Sequence, residues 1–417
     1  MKIGFSQRHI SPPMGLELGG YALYRPCAGI HDPLCCKVLV LEQAGCRYAL
    51  LSLDLVSVDE ALYHRIADGA APLGFSREHI LACAIHTHSA PWGNYPGEGP
   101  LEAVNREWMP QSAAFRAYMD QVVAASVEAL QCAVSRLERF QVRTARTKAP
   151  PVGSNRHDGS EPGGPLTALE FRTDSGRSLV VYSFGCHPTV LNGQNLMASA
   201  DFTAGVQELL KADQAMFLNG AAGDISTRFT RRESSFAECG RMAEMTADCV
   251  RCALAQAEFR EPEGLSWLHS TVVLNPRPVV AEAEARKLLE QATQAAEAAE
   301  AAGAPAGECR ILRSYVEGAQ VNLQMARTMA GIPVLNLPVT VLRLCGLDFA
   351  AVPGELFSSL LPDSPFAVIG YANGYYRYLP SRDAYDNGCY EALAALIDRG
   401  EGERLMEMIT QLLAQLG

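Results

Sequence analysis

The sequence predicts an α/β fold, with a mixed β-sheet core, flanking helices and an inserted helical hairpin. First, apolar strand patterns at 48–56 and 79–88 flank a helical pattern at 59–71, which is typical of a β-α-β unit. Second, the chain becomes β-rich after about residue 138. Third, an Ala/Glu-rich stretch at about 280–330 differs in composition from the rest of the chain.

Periodicity and turn signals place the remaining elements. Two apolar segments, 166–172 and 178–184, are separated by Asp174-Ser175-Gly176, which favours a β-hairpin. Residues 215–218 form a short buried strand before a loop of small residues. The other predicted elements are helices at 106–137 and 236–259, strands at 334–344, 349–352 and 366–371, and a helix at the C-terminal end.

We interpret the 280–330 insertion as two helices, 281–302 and 309–329, interrupted by glycine and proline at 303–307. Such an arm either covers part of the domain or meets another subunit in a homo-oligomer. A solvated arm without a catalytic part is the alternative. Because no internal repeat and no Pro/Ser-rich linker divides the sequence, we predict one domain over 1–417.

Composition excludes some classes of function. The net charge of −11 and the pI near 5.4 make nucleic acid an unlikely partner. No run of about 20 apolar residues is long enough to span a bilayer, and the first residues lack the apolar stretch of a signal peptide. Thirteen cysteines, scattered through apolar runs, favour reduced thiols. These features predict a cytoplasmic protein.

Nine histidines are few for this length, so their placement is informative. His86-Thr87-His88 follows the apolar run 80–85, and residues i and i+2 of a strand point to one face. A third histidine, His187, follows the strand pattern 179–186. Polar caps on strand ends are the alternative interpretation. Since imidazole is a preferred zinc ligand, two histidine-bearing strand ends favour a metal site.

Other polar residues follow apolar strands in the same way. The loop 220–226 is rich in small residues, so Ser226 can stand exposed and Asp224 can orient a base or donor; an ordinary tight turn is the alternative. Glu355 follows a strand and a Pro-Gly turn. Five of the fourteen tyrosines fall within the sixteen residues 375–390, a density that favours a pocket lining over a core.

In this order the motifs resemble the catalytic domain of the neutral (non-lysosomal) ceramidase family. The resemblance runs from about residue 3 to residue 395 and includes the N-terminal segments Gly19-Gly20-Tyr21 and Gly29-Ile30-His31. The motifs that carry it are His-Thr-His-Ser at 86–89, Asn-Arg at 155–156, the histidine at 187, Gly-Asp-x-Ser at 223–226, Pro-Gly-Glu at 353–355 and the tyrosine-rich segment 373–391.

The resemblance implies one zinc ion per chain, with His86, His187, Glu355 and Tyr390 as its ligands. A phenol can ligate zinc only if the field of the cation overcomes its pKa near 10.

It also implies catalytic roles for the residues that match the rest of the family's motifs. Ser226 is then the nucleophile, His88 and Arg156 lie at the reacting carbonyl, and Tyr378 lines the site. The reaction implied is acyl transfer with water or Ser226 attacking, and His88 is the best candidate for the general acid.

Departures from the family pattern bear on the substrate. Ser226 is followed by Thr227-Arg228 where the family has Pro-Asn, and a basic residue here could meet a carboxylate-bearing substrate. The chain also lacks the tyrosine that the family has shortly after Tyr-Glu. We therefore predict a zinc-dependent hydrolase that cleaves the amide bond of an N-acylated small molecule, ceramide not necessarily included.

Several alternatives stay open. The scissile bond could be an ester or a lactam, and a relative that binds metal or ligand without turnover is a non-enzymatic alternative. A metal-dependent amidohydrolase barrel also opens with H-x-H, but the β-rich middle does not repeat as eight β-α units. Cys249 and Cys252 have C-x-x-C spacing inside a helical pattern without a second pair, which predicts core packing.

Overall fold

The computed structural model describes residues 1–417 except 22, 106–108, 163, 330–331 and 362–364. Its strands are β1 (Lys2–His9), β2 (Gly29–Ile30), β3 (Cys35–Gln43), β4 (Cys46–Leu53), β5 (Phe75–Ala84), β6 (Phe140–Lys148), β7 (Ser154–Asn155), β8 (Pro165–Thr173), β9 (Ser178–Phe184), β10 (Met197–Ala198), β11 (Gln214–Asn219), β12 (Ile225–Ser226), β13 (Leu265–Leu274), β14 (Leu335–Leu344), β15 (Leu347–Ala351), β16 (Glu355–Leu356), β17 (Ala367–Ile369) and β18 (Tyr378–Leu379).

Its α-helices are α1 (Glu60–Ala70), α2 (Glu102–Asn105), α3 (Ala113–Val134), α4 (Val206–Leu210), α5 (Phe236–Leu254), α6 (Glu282–Ala301), α7 (Ala306–Thr328), α8 (Arg382–Asp386), α9 (Tyr390–Ala394) and α10 (Glu401–Ala414). Side-chain N-caps fix where three of these helices begin, because each cap oxygen accepts a backbone N–H of the first turn. The caps are Asp59 for α1, Ser112 for α3 and Ser235 for α5.

Three four-stranded sheets share one topology, and this mixed α/β architecture confirms the predicted fold class. Their strand orders are β1-β3-β4-β5, β6-β8-β9-β11 and β13-β14-β15-β17. In each sheet the first three strands are antiparallel, and the fourth is parallel to the third. The sequence shows no repeat, so this threefold recurrence is a finding of the structure.

The three sheets meet at their third and fourth strands. An apolar core contains side chains from all three sheets, including Leu50, Met216 and Ile369. Buried hydroxyls also join neighbouring sheets: the Ser52 hydroxyl donates to the Phe217 carbonyl at 2.6 Å. Similarly, Ser183 of the second sheet donates to Val368 of the third at 3.2 Å. The carboxyl ends of these strands are therefore brought to one place, where polar side chains of the loops can converge.

The predicted β-α-β unit is confirmed, since β4 and β5 are parallel and α1 connects them. The 166–184 hairpin is confirmed as β8 and β9. The helix predicted at 106–137 begins only at Ala113, capped by Ser112, and residues 106–108 lie outside the described residues. The core prediction for the C-x-x-C pair is wrong in part, because Cys252 is exposed and Cys249 is half-buried on α5.

The inserted hairpin is present as α6 and α7. Helix α7 packs on α9: a Cβ added at Gly318 would lie 3.1 Å from the Leu393 side chain. The arm thus covers one part of the domain. Among the described residues, no helix combines the length and the apolar character that crossing a membrane requires.

Candidate metal centre

Strand β5 ends at Ala84, and the chain then turns sharply at His86, which has a left-handed backbone with φ of 66°. Strand alternation was predicted to bring His86 and His88 to one face. That prediction is wrong, because neither residue lies in a strand. The His86 Nδ1–H donates to the Val56 carbonyl at 2.7 Å, which leaves Nε2 as the free nitrogen. Burial lowers the pKa of His86 to about 4, so the imidazole is neutral at pH 7.

His88 nevertheless reaches the same point, because its Nε2 lies 3.1 Å from the Nε2 of His86. Its ring packs edge-on against Tyr21. Burial, followed by the neighbouring imidazoles of His86 and His187, holds the pKa of His88 well below its usual value. The turn, rather than strand alternation, therefore brings the two side chains together.

His187 enters from the second sheet, three residues after β9 ends. Its Nδ1 lies 2.7 Å from the Ala222 carbonyl and 2.9 Å from the Ile225 carbonyl, both in the loop that follows β11. These acceptors orient the ring so that Nε2 points at Glu355, with 3.0 Å between Nε2 and Oε2. The ring of His187 also lies edge-on to that of His86.

Glu355 is the first residue of β16, four residues after β15 of the third sheet ends, and it is 2% exposed. Its Oε2 lies 3.5 Å from the His86 Nε2, and its Oε1 accepts the Tyr375 hydroxyl at 2.6 Å. Burial alone would raise the pKa of Glu355. The facing His86 and His187 imidazoles and the Tyr375 hydrogen bond outweigh burial and lower the pKa to about 2, so the carboxylate is ionised.

These donors fit a metal ion. In a tetrahedral zinc site with bonds of about 2.0–2.1 Å, neighbouring ligand atoms lie roughly 3.3 Å apart; the His86, His187 and Glu355 distances above bracket that value. The His187 Nε2 and the Glu355 Oε2 are both buried without a hydrogen-bond partner among the described residues. The ligand atoms of His86, His88 and His187 also all lie within 4.8 Å of one another, so this buried group could bind a metal.

Two tyrosines contact this group, and sequence reasoning singled out neither. Tyr375 hydrogen-bonds Glu355, and Tyr371 stacks on the His86 ring with centroids 4.2 Å apart. Tyr390 lies on α9, and its described ring contact is with Tyr378, 6.1 Å away. Within the described residues, no hydrogen bond joins Tyr390 to Glu355. The sequence did contain a signal for Tyr375, because it is the first tyrosine of the tyrosine-rich segment 373–391.

Ser226 lies beside His187, with which it forms an isolated β-bridge. Its hydroxyl oxygen faces the backbone N–H of Arg228 at 3.4 Å, and the serine is 6% exposed. Asp224 accepts the backbone N–H of Ser358 at 2.6 Å and the Ser358 hydroxyl at 3.0 Å. The Asp224 carboxylate therefore fixes the loop rather than orienting a base.

Arg156 is anchored next to this loop. Its Nε lies 2.8 Å from the Glu391 Oε1, and its Nη2 donates to the Gly223 carbonyl. The guanidinium carbon lies 5.4 Å from the centre of the Tyr378 ring. Burial would lower the pKa of Arg156, but the Glu391 carboxylate more than offsets it, so the guanidinium stays charged. Sequence reasoning selected Arg156 and Tyr378 but missed Glu391 as their partner.

Gly20 gives a first testable prediction, because only a residue without a side chain leaves room for the ring of His88 at this position. With φ of +88°, a Cβ at this position would lie 2.4 Å from the His88 Cγ. We expect Gly20→Ala to displace the His88 ring and to lower kcat/KM by about 100-fold, the effect of misplacing a reacting group by roughly 1 Å. Steady-state hydrolysis assays on the purified variant measure the change.

The matched control is Gly15→Ala. Gly15 has φ of +84°, so it carries the same backbone strain, but nothing lies within 4 Å of its added Cβ. Both variants should lose similar stability from strain, and only Gly20→Ala should lose activity. An equal loss of activity in both would show that His88 is not the group affected.

Solved structures similar to the whole chain include two of ceramidases. The first is the "Crystal Structure Analysis of neutral ceramidase from Pseudomonas aeruginosa", with a TM-score of 0.75, 16% sequence identity and coverage of 100% of this chain and 74% of that one. The chain has the neutral ceramidase fold. A second neutral ceramidase-like match, "Ceramidase complexed with C2", has a TM-score of 0.71, 15% identity and coverage of 100% and 75%.

No family model matches the sequence, and no curated protein matches it significantly. At 15–16% identity the neutral ceramidase structures establish the fold alone, because function depends on individual side chains that such divergence can replace. The roles of the residues at the metal centre must therefore be argued from their own geometry.

Proposed function

We propose that this chain is a zinc-dependent hydrolase that cleaves the amide bond of an N-acylated small molecule. The observation that carries this proposal is the convergence of His86, His187 and Glu355, each of which follows a strand of a different four-stranded sheet. The His86 and His187 Nε2 atoms lie 3.5 and 3.0 Å from the Glu355 Oε2. A buried carboxylate beside two imidazoles is a donor set that zinc prefers. The neutral ceramidase fold supports the choice of an amide substrate.

His86, His187 and Glu355 would hold the zinc ion, and the Tyr375 hydroxyl, which already donates to Glu355, would add a further oxygen. We propose Tyr375 in place of Tyr390 as the tyrosine ligand, because Tyr375 already contacts the carboxylate. Burial and the charge of Glu355 raise the pKa of the Tyr375 phenol, so its ionisation would need a cation. When bound, zinc polarises an oxygen nucleophile or the substrate carbonyl.

A pair of hydroxyl deletions separates the two tyrosines. We expect Tyr375→Phe to weaken zinc retention and to lower kcat/KM by about 100-fold, in the range of lost metal-centre partners. Tyr390→Phe removes a hydroxyl from α9 and should change both by less than about threefold. Zinc content after dialysis and the rate of hydrolysis are measured for both variants. A larger loss in Tyr390→Phe than in Tyr375→Phe would instead support Tyr390 as the ligand.

The chain's own residues supply the remaining steps. Water or the Ser226 hydroxyl attacks the amide carbonyl. His88 is neutral, and its Nδ1 has no partner among the described residues, so it can hold the proton of the nucleophile and return it to the leaving amine. In this proposal the anchored Arg156 guanidinium stabilises the developing oxyanion, a contact worth about 3–4 kcal/mol when preorganised.

Substrate preference follows from the residues around Ser226. Arg228 is exposed and lies two residues after Ser226 in the chain. Its guanidinium could therefore bind a carboxylate on the substrate. We therefore place N-acyl amino acids beside ceramides in the substrate panel. The cytoplasm is the proposed location, since all thirteen cysteines are free thiols. Homo-oligomerisation stays a prediction.

The test is product release, followed by mass spectrometry, from ceramides, N-acyl amino acids, short amides, esters and lactams, with and without a zinc chelator. Chelator-sensitive hydrolysis of an amide supports the proposal. Preferential cleavage of an ester or a lactam would replace the amide as the scissile bond. Silence across the panel from protein that holds one zinc would favour a relative that binds without turnover.

A further inference from the structure

A second group of potential metal ligands includes Glu391, the carboxylate that faces Arg156. It consists of His157, Cys389 and Glu391, whose ligand atoms all lie within 4.8 Å of one another. We call it the thiol cluster. The His157 side chain is 37% exposed and Cys389 is half-buried, whereas Glu391 is 3% exposed at its side chain. A solvent ion could thus reach the cluster past His157 and meet a buried anion.

The two segments that carry the thiol cluster are held firmly. The backbone N–H of His157 donates to the Asn155 side chain at 2.9 Å, and Arg156 donates its own backbone N–H to the Asp224 carbonyl at 2.8 Å. On the other side, the backbone N–H of Cys389 donates to the Ala384 carbonyl at 2.9 Å. The donors are therefore preorganised by main-chain contacts.

One oxygen in the thiol cluster has no hydrogen bond. The Glu391 Oε1 faces Arg156, but the Oε2 is buried without a donor aligned on it in the described part of the chain. The nearest group is the His157 Nε2 at 3.3 Å, which is roughly the ligand–ligand separation of a tetrahedral zinc site. A buried carboxylate oxygen without a donor is costly unless a cation meets it.

We propose that the thiol cluster is a second metal site, which binds a thiophilic divalent ion of the zinc class through His157, Cys389 and Glu391. Imidazole, thiolate and carboxylate together select zinc-like ions over magnesium or calcium. Glu391 also forms the ion pair with Arg156. A cation bound in this site would compete with the Arg156 guanidinium for the negative charge of that carboxylate and so weaken the ion pair. Excess zinc should therefore inhibit hydrolysis, a consequence that rests on the proposed function.

Cobalt substitution tests the site without any activity assay. A Co²⁺ ion bound to a thiolate gives a sulfur-to-cobalt charge-transfer band in the near ultraviolet, and His86, His187 and Glu355 supply no sulfur. We expect wild-type protein titrated with Co²⁺ to develop this band and to bind about two metal equivalents. Cys389→Ser should abolish the band and retain about one equivalent, which also shows that the variant is folded.

The matched control is Cys252→Ser, because Cys252 is exposed and has a second cysteine three residues before it on α5. The band should survive this change. A band that persists in Cys389→Ser, or is absent from wild type, overturns the second site. In an activity assay, excess zinc should inhibit wild type and Cys252→Ser several-fold more than Cys389→Ser. If no substrate is hydrolysed, the proposed function fails while the cobalt result still decides the site.

Discussion

Replacing His187 with alanine should strip the protein of tightly bound zinc and lower kcat/KM by about 1000-fold or more, which corresponds to about 4 kcal/mol of transition-state stabilisation. His187 provides the nitrogen closest to Glu355, at 3.0 Å, and two backbone carbonyls orient its ring. Removing it leaves Glu355, His86 and the proposed ligand Tyr375 without a second imidazole to hold the ion. Metal analysis and kinetics on the same preparation measure both effects.

His269→Ala is the control for this change. His269 is half-buried on β13, where it hydrogen-bonds Thr340 at 3.0 Å, so its loss removes a hydrogen-bonded imidazole outside the candidate metal centre. It should keep zinc and activity within about threefold. A His187→Ala protein that retained stoichiometric zinc and full activity would refute the metal centre, whereas zinc loss with full activity would separate the metal from the chemistry.

The sequence could predict much of the site because its residues follow recognisable strands. His86, His187 and Glu355 each come just after an apolar β pattern, and polar residues at the carboxyl ends of strands converge in α/β folds. What it could not predict was the local geometry. The left-handed turn at His86 has no sequence signal, since non-glycine residues rarely adopt it.

The sequence also could not predict which side chains contact Glu355 and Arg156. Several tyrosines within 375–390 could have been the tyrosine that contacts Glu355. Only the packing of the loop after β17 brings Tyr375, and not Tyr390, into contact with that carboxylate. Glu391 also gave no signal of its own, because its role depends on Arg156, 235 positions earlier in the chain. Long-range pairs of this kind are set by tertiary structure rather than by local pattern.

The recurrent sheet topology explains why the three proposed ligands converge. His86 follows the fourth strand of the first sheet, whereas His187 and Glu355 follow the third strands of the second and third sheets. These strand ends meet where hydroxyls such as Ser52 link the sheets. The metal centre is therefore supported by rigid core strands, which favours preorganised ligands over flexible ones.

The Arg156–Glu391 pair allows stability and catalysis to be separated. Both side chains are buried, and Glu391→Leu alone would leave the guanidinium without its carboxylate. We expect this variant to lose about 3–5 kcal/mol of unfolding free energy, the usual result of breaking a buried pair on one side. Arg156→Met should lose a similar amount. Denaturant unfolding followed by fluorescence gives these values.

The double variant Arg156→Met/Glu391→Leu decides the role of the arginine. Replacing both members of a buried pair with apolar side chains is often nearly neutral, so stability should return to within about 1–2 kcal/mol of wild type. Activity should stay about 100-fold to 1000-fold down, because the oxyanion contact is still missing. Recovery of activity together with stability would instead assign the pair a purely structural role. A stable but inactive double variant would show that the pair contributes to catalysis beyond its contribution to stability.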